Sequence, residues 1–433
     1  MRCRSFKKQL RSKSPPRRNA SRGVKAKWGL KPFSVVVVFC GAWPLSAAQV
    51  CHAPVDTPSK TQDAKPMEIG IVVHGGGAFV PVLMNDGKTY SFLLDTGFED
   101  SVLDPSTVAA LHLKTVDRRT DAGPGGKVET ETVIGVQRRV GGVRLSKPSS
   151  TVLDLSGFAP FFGHRLDGIL GYDFLSQFVV ILDYQDQKLT LCDPPSFRDT
   201  TAHFEAVNVQ QKQPYVKAII GGQNGNSAPA FIEIDTGKLD PFSLNAGFAR
   251  THDLLGNTSK ALAFQGVGVG GGTQAWLTRT RTLRVAGFNF INPLVAIAED
   301  NLDRLGNQRP GAVGYGLLKQ FLITFDYSRG EIALQRIKNA EMSFEFDHAG
   351  FVLGSTGPNF DTLTAVMVIV QTPAAKAGIM PGDEIVEIDG RPAKNYTLDQ
   401  ARDYFAHAVG ERTLRIKRNG ALKTVKVTCR RLV

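Results

Sequence analysis

Phe92-Leu93-Leu94-Asp95-Thr96-Gly97 and Phe231-Ile232-Glu233-Ile234-Asp235-Thr236-Gly237 decide the reading of this chain. Each is an apolar run that ends in Asp-Thr-Gly. A short apolar run closed by a turn signal is patterned as a strand. An aspartate at such a place is ordinarily a turn residue capping the strand end. Two of them, one per turn, are also the residue types for one chemistry: paired carboxylates that share a proton and drive water onto a peptide carbonyl. A single triplet would carry little weight, because short motifs recur by chance.

The surroundings of the triplets repeat as well. Asp167-Gly168-Ile169-Leu170-Gly171-Tyr172-Asp173-Phe174-Leu175 follows the first, and Pro310-Gly311-Ala312-Val313-Gly314-Tyr315-Gly316-Leu317-Leu318 follows the second. Ile181-Leu182-Asp183-Tyr184 then matches Ile323-Thr324-Phe325-Asp326-Tyr327. The offset from Asp to the repeated Gly is 171 − 95 = 76 in one half and 314 − 235 = 79 in the other. That is an internal duplication, and each half contributes one Asp.

On these residues the chain resembles the aspartic peptidases, and more closely their retroviral-like branch, fused here as two lobes. The resemblance covers about residues 68 to 337. It implies that Asp95 and Asp235 are the catalytic pair. It implies that each apolar-apolar-Gly strand threads past an Asp-Thr-Gly turn, and that Thr96 and Thr236 brace the turns across the lobe interface. Gly97 and Gly237 would let the turns pack closely in dihedrals that other residues resist. A flap hairpin would cover the substrate from Gly123-Pro124-Gly125-Gly126 or from Gly266 to Gly272, the other reading of both stretches being plain surface turns. Phe98 and Lys238 stand where pepsin-like members carry Ser or Thr and retroviral ones Ala. Lys238 would either favour the ionised pair or point to solvent.

From about residue 345 the patterning changes. Pro373-Ala374-Ala375-Lys376-Ala377-Gly378-Ile379-Met380-Pro381-Gly382-Asp383-Glu384-Ile385-Val386-Glu387-Ile388-Asp389-Gly390 resembles the core of a PDZ domain. Leu398, Ala401, Phe405 and Ala408 come after it at helical spacing. In such domains that helix and an edge strand form a peptide groove, to which ligands add by main-chain hydrogen bonds. The resemblance places the edge at Gly350, Phe351, Val352 and Leu353. The alternative is that helix and strand are simply core.

The net charge of +12 comes from one end of the chain. Residues 1 to 32 hold 12 Lys or Arg and no acid, which leaves 52 − 12 = 40 basic against 40 acidic residues elsewhere. A nucleic-acid partner is therefore unsupported. The basic block precedes Phe33-Ser34-Val35-Val36-Val37-Val38-Phe39 and the small residues Ser46-Ala47-Ala48, the outline of a signal peptide cut after Ala48. An uncleaved anchor is the other reading. Beyond it only Cys51, Cys192 and Cys429 remain, which is no disulfide framework, and no metal-ligand spacing is present.

Two further motifs fail on context. Gly266-Val267-Gly268-Val269-Gly270-Gly271 fits a dinucleotide fingerprint, but the next residues, Thr273-Gln274-Ala275-Trp276-Leu277-Thr278, read as strand and not helix, and no acid sits about 20 residues on. Gly225-Asn226-Ser227-Ala228-Pro229 lacks the Gly-Gly that shapes a serine-protease oxyanion hole.

The expected fold is mainly β: two duplicated acid-protease-type β-barrel lobes followed by a small α+β PDZ domain. The expected divisions are a signal peptide at 1–48, a linker at 49–66, lobes at 67–197 and 205–338, and the PDZ domain at 345–433. The expected activity is that of an exported aspartic endopeptidase, periplasmic or secreted, that uses no cofactor and no metal. Its partners would be a polypeptide substrate and a peptide ligand of the PDZ groove, with membrane contact only through an uncleaved signal anchor. The alternative is a catalytically inactive peptide-binding protein of the same fold, acting as adaptor or chaperone.

Overall fold

Val80, Val82, Tyr90, Phe92 and Leu94 point one way into a shared core, while Pro81, Leu83 and Thr89 between them are exposed. This alternation makes Gly77–Met84 and Thr89–Leu94 an antiparallel hairpin with one buried face. Asn85-Asp86-Gly87 closes it, with Gly87 at φ +75 and Met84 N donating to the carbonyl of Lys88 at 3.0 Å. In this computed structural model residues 65–255, 261–299, 309–338, 340 and 344–433 are described, with the backbone of Val38–Phe39. The chain divides into Met1–Phe33 and Ser34–Val433, and all described residues lie in the second unit. The expected signal segment, apart from Val38–Phe39, and the linker up to residue 64 lie outside the described residues.

The fold is mainly β, with two large sheet lobes and then a smaller sheet domain. In the first lobe the strands run in the spatial order Val143–Arg144, Arg138–Val140, Gly77–Met84, Thr89–Leu94, Gly168–Leu170, Val102–Leu103, Ser149–Val152, Gly126–Ile134, Thr115–Gly123. The second lobe repeats this strand for strand: Phe288–Ile291, Thr282–Val285, Gln213–Gly221, Ser227–Ile234, Gly311–Val313, Phe242–Asn245, Leu294–Glu299, Gly271–Arg279, Leu262–Gly268. The duplication read in the sequence is thus a duplication of topology.

In each lobe the apolar-apolar-Gly strand lies parallel to the strand that leads into Asp-Thr-Gly. Ile169 pairs with Leu93, and Val313 with Ile234. Gly168 permits the first approach, since a β-carbon there would collide with the Phe92 ring and the carbonyl of Val102. Short helices follow the triplets, each started by a side-chain cap: Asp104 accepts from Ser106 N at 2.9 Å, and Asn245 from Phe248 N at 2.9 Å.

A third sheet joins the lobes. Its central strands, Val179–Asp183 and Phe321–Asp326, come one from each half and run antiparallel, with Ile181 opposite Thr324. The PDZ domain is a sheet of Phe351–Thr356, Thr362–Val368, Asp383–Ile388, Gly410–Arg418 and Ala421–Cys429, with Phe351–Thr356 at the edge of this path. Its helix Leu398–His407 begins with a capping box in which Thr397 and Gln400 exchange side-chain-to-amide bonds of 3.0 and 3.1 Å. Leu353, Ile385, Leu398, Phe405 and Leu414 form its own core, and the Phe351 ring meets Phe405 at 4.8 Å. Cys192 and Cys429 are buried free thiols.

Candidate functional site: the paired Asp-Thr-Gly turns

The two triplets meet where the lobes join, with Asp95, Thr96, Asp235 and Thr236 buried. Each turn is fixed first by its neighbouring strand. Asp95 N donates to the Leu170 carbonyl at 3.0 Å, and Asp235 N to the Val313 carbonyl at 2.9 Å. Within each turn the glycine amide donates to its own aspartate, Gly97 N to Asp95 Oδ1 at 2.8 Å and Gly237 N to Asp235 Oδ1 at 3.0 Å.

The threonines then lock the two turns together. Thr96 Oγ1 donates to the Ile234 carbonyl at 2.5 Å and accepts from Thr236 N at 3.1 Å. Thr236 Oγ1 donates to the Leu94 carbonyl at 2.8 Å and accepts from Thr96 N at 3.1 Å. Four buried bonds thus satisfy the backbone of both turns. The glycines leave room for the carboxylates. A β-carbon on Gly237 would collide with the Asp95 carboxylate, and one on Gly97 would lie 3.2 Å from Asp235 Oδ1. Each aspartate therefore rests against the glycine of the other turn.

The lobes are alike in backbone and unlike in chemistry beside the pair. In the first lobe Phe79 lies across from Leu93, and Phe98 joins them in one buried apolar cluster. At the matching places the second lobe has Tyr215 across from Glu233, and Lys238. Lys238 is buried and its Nζ pairs with Asp240 Oδ1 at 3.1 Å. Of the two readings of Lys238, exposure to solvent is therefore the one that does not hold.

The charges follow from this asymmetry. Burial holds the Asp235 carboxyl well above the usual carboxylate range; the charges of Asp95 and Glu233 push it the same way, and Lys238 and the Gly237 amide oppose them. Burial pushes Glu233 up to about 7, with Asp95 adding to the rise and Arg309, Lys238 and a Tyr215 hydrogen bond pulling against it. Such a pair holds one proton between two acids over a wide pH range.

Both glycine-rich stretches are hairpin tips, and they touch. Thr115–Gly123 with Gly126–Ile134 forms one hairpin, and Leu262–Gly268 with Gly271–Arg279 the other. Gly125 N donates to the Val269 carbonyl at 2.9 Å. A β-carbon on Gly123 or Gly270 would collide with the facing hairpin, and Gly270 and Gly271 hold φ of +89 and +130. The surface-turn reading is thereby replaced by two tips that meet. Val269 reaches the apolar cluster of Phe79, Leu93 and Phe98, beside the first triplet.

The PDZ residues singled out from sequence stand apart from the triplets. Gly350 holds φ +86, Phe351 and Leu353 are buried in the PDZ core, and Val352 packs on the first lobe's Phe161 and Phe162 cluster. The strand edge and the helix do share the wall of a cavity of about 660 Å³, which Phe264 and Leu277 of the second lobe also line.

Sequence reasoning missed Glu233, Tyr215, Asp347 and Arg402. Glu233 left one signal: it is the charged residue in a run whose duplicate, Phe92-Leu93-Leu94, has none.

Residues 80–174 match the family described as Aspartyl protease, and residues 366–418 match that described as PDZ domain. The first match contains Asp95 and the strand Gly168–Leu170 that supports it. No curated protein matches the chain. The chain joins an aspartyl protease domain of the retropepsin-like kind to a C-terminal PDZ domain.

Proposed function

We propose that the protein is an aspartic endopeptidase whose catalytic residues are Asp95 and Asp235. The observation that carries this reading is the reciprocal threonine lock, which holds two buried carboxylates against each other's glycine. A turn residue that merely caps a strand needs no such partner. In the reaction the ionised carboxylate takes a proton from water as its oxygen attacks the scissile carbonyl carbon. The protonated carboxyl donates its hydrogen bond to the carbonyl oxygen, where negative charge develops. Collapse of the tetrahedral intermediate breaks the C–N bond, and the leaving nitrogen receives the proton. Thr96, Gly97, Thr236 and Gly237 hold the geometry, and the two hairpin tips exclude water from above.

The reading includes export to the periplasm or the exterior, directed by residues 1–48, and lobes at 67–197 and 205–338 with the PDZ domain at 345–433. In it the PDZ groove of Gly350, Phe351, Val352 and Leu353 recognises a peptide of the substrate or a partner. The test is proteolysis of an unfolded protein by the purified chain and by Asp95→Asn. Cleavage by the first and not the second supports the reading. Binding of the unfolded protein without cleavage would favour the inactive adaptor instead.

A further inference from the structure

Three loop amides of the PDZ domain converge on one oxygen of the same chain. Ala349, Gly350 and Phe351 donate from their backbone N–H groups to Asp347 Oδ1 at 2.8, 2.7 and 3.4 Å. Successive amides aimed at one point make an anion site, and this one holds a half-buried carboxylate already. The loop leads directly into the edge strand Phe351–Thr356.

Farther along that strand the first lobe packs against its face, and a PDZ side chain fills its edge. A β-carbon on Gly354 would lie 2.5 Å from the carbonyl oxygen of Pro160, in the short first-lobe helix Ala159–Phe162. Arg402, on the facing PDZ helix, donates to Leu353 O at 3.1 and 2.8 Å, to Phe161 O at 2.6 Å and to Gly75 O at 3.0 Å. Asp399 accepts from Gly75 N at 3.1 Å. Between the Phe351 amide, held by Asp347, and the Leu353 carbonyl, held by Arg402, only a short stretch of the strand borders the cavity of about 660 Å³ whose walls include Val352, Met367, Phe264 and Leu277.

We propose that Asp347 stands in for a ligand's terminal carboxylate, so that the groove takes short internal polypeptide segments bearing a bulky apolar side chain and not free C-termini. The inference rests on the peptide-groove reading of the proposed function. A second carboxylate brought to the loop would find the three amides already engaged. Burial pushes Asp347 up to about 7, so the two charges repel above that pH, where the test is run. Arg402 already fills the Leu353 carbonyl, so only a short segment finds free backbone groups along the edge. An internal segment brings no charge to the loop, and its apolar side chain finds apolar walls.

The test is fluorescence polarisation with one labelled octapeptide rich in valine and phenylalanine, made as the free acid, as the C-terminal amide, and embedded between Gly-Ser flanks. The full chain is used with Asp235→Asn to stop hydrolysis. The amide and embedded forms should bind alike, and the free acid at least about tenfold more weakly. Asp347→Ala should raise the free acid's affinity relative to the amide by at least about tenfold. Asp347→Asn, which keeps an acceptor oxygen for the loop, should narrow the gap. Ala406→Trp, on the PDZ-helix wall of the cavity, should abolish the binding, which separates the groove from the peptidase cleft. A free acid that binds the unmodified loop as tightly as its amide, or more tightly, overturns the inference. Absence of binding by every form to every variant overturns the peptide-groove reading itself.

Discussion

Glu233, on the strand Ser227–Ile234, stands two residues before Asp235 and its charge bears on that carboxyl, and Tyr215 faces Glu233 where the first lobe sets Phe79 against Leu93. The duplicated halves therefore give one aspartate a polar neighbourhood and the other an apolar one. Glu233 is among the causes that raise Asp235. The single proton of the pair should persist toward neutral pH, with a bell-shaped kcat/KM profile centred at weakly acidic to near-neutral pH. Glu233→Gln removes a negative neighbour, so Asp235 falls and the alkaline limb should move to lower pH, by about half to one unit. A limb that stays in place would show that Glu233 is too well screened to matter.

Glu233 also predicts a pH dependence of stability. Its folded value, about 7, lies above its ordinary 4.5, so its contribution is fully present below 4.5 and is lost as pH rises through 7. Glu233→Gln should therefore be more stable than the parent above neutrality, by on the order of 2 kcal/mol, with the gap closing near its ordinary value. Thermal unfolding across pH checks this, and a gap that is constant with pH contradicts it.

Asp95→Asn and Asp235→Asn should each lower kcat at least about a thousandfold, because each role requires one carboxyl. Unfolding curves should remain cooperative. Turnover by either variant within about tenfold of the parent would remove the pair from the mechanism.

Thr96→Val leaves the buried Ile234 carbonyl without its donor, and Thr236→Val does the same to Leu94. Each should cost about 1–3 kcal/mol in urea denaturation. Serine at either position keeps the hydroxyl and should recover most of the loss.

Gly125 takes part in the tip-to-tip bond, and a β-carbon there would collide with Gly271. Gly125→Val should part the tips and raise KM for a peptide substrate by about tenfold, with a smaller effect on kcat. Steady-state kinetics separates the two.

Much of the site was legible because it was written twice. The resemblance carried by the repeated segments implied that each apolar-apolar-Gly strand threads past an Asp-Thr-Gly turn; that these strands pair in parallel, Ile169 beside Leu93 and Val313 beside Ile234, is what the structure adds. The glycine-rich stretches gave the hairpins but not their meeting, since nothing local encodes that Gly125 touches Val269. Glu233 was hidden in an apolar run, because a buried acid has no periodicity of its own. The partners of Arg402 lie 49, 241 and 327 residues away in sequence, beyond any local pattern.

The strands at the junction have a kinetic consequence. Ile181 and Thr324 pair across 324 − 181 = 143 residues, so the central sheet closes only after both halves are made. Contacts of such long range slow folding, and they leave a half-built molecule with an open strand edge. A second chain in the same condition offers an equivalent partner. Refolding at high concentration thus competes with exchange of C-terminal halves between molecules, which would yield a dimer with two complete pairs of aspartates, whereas folding from the ribosome or at high dilution yields the monomer.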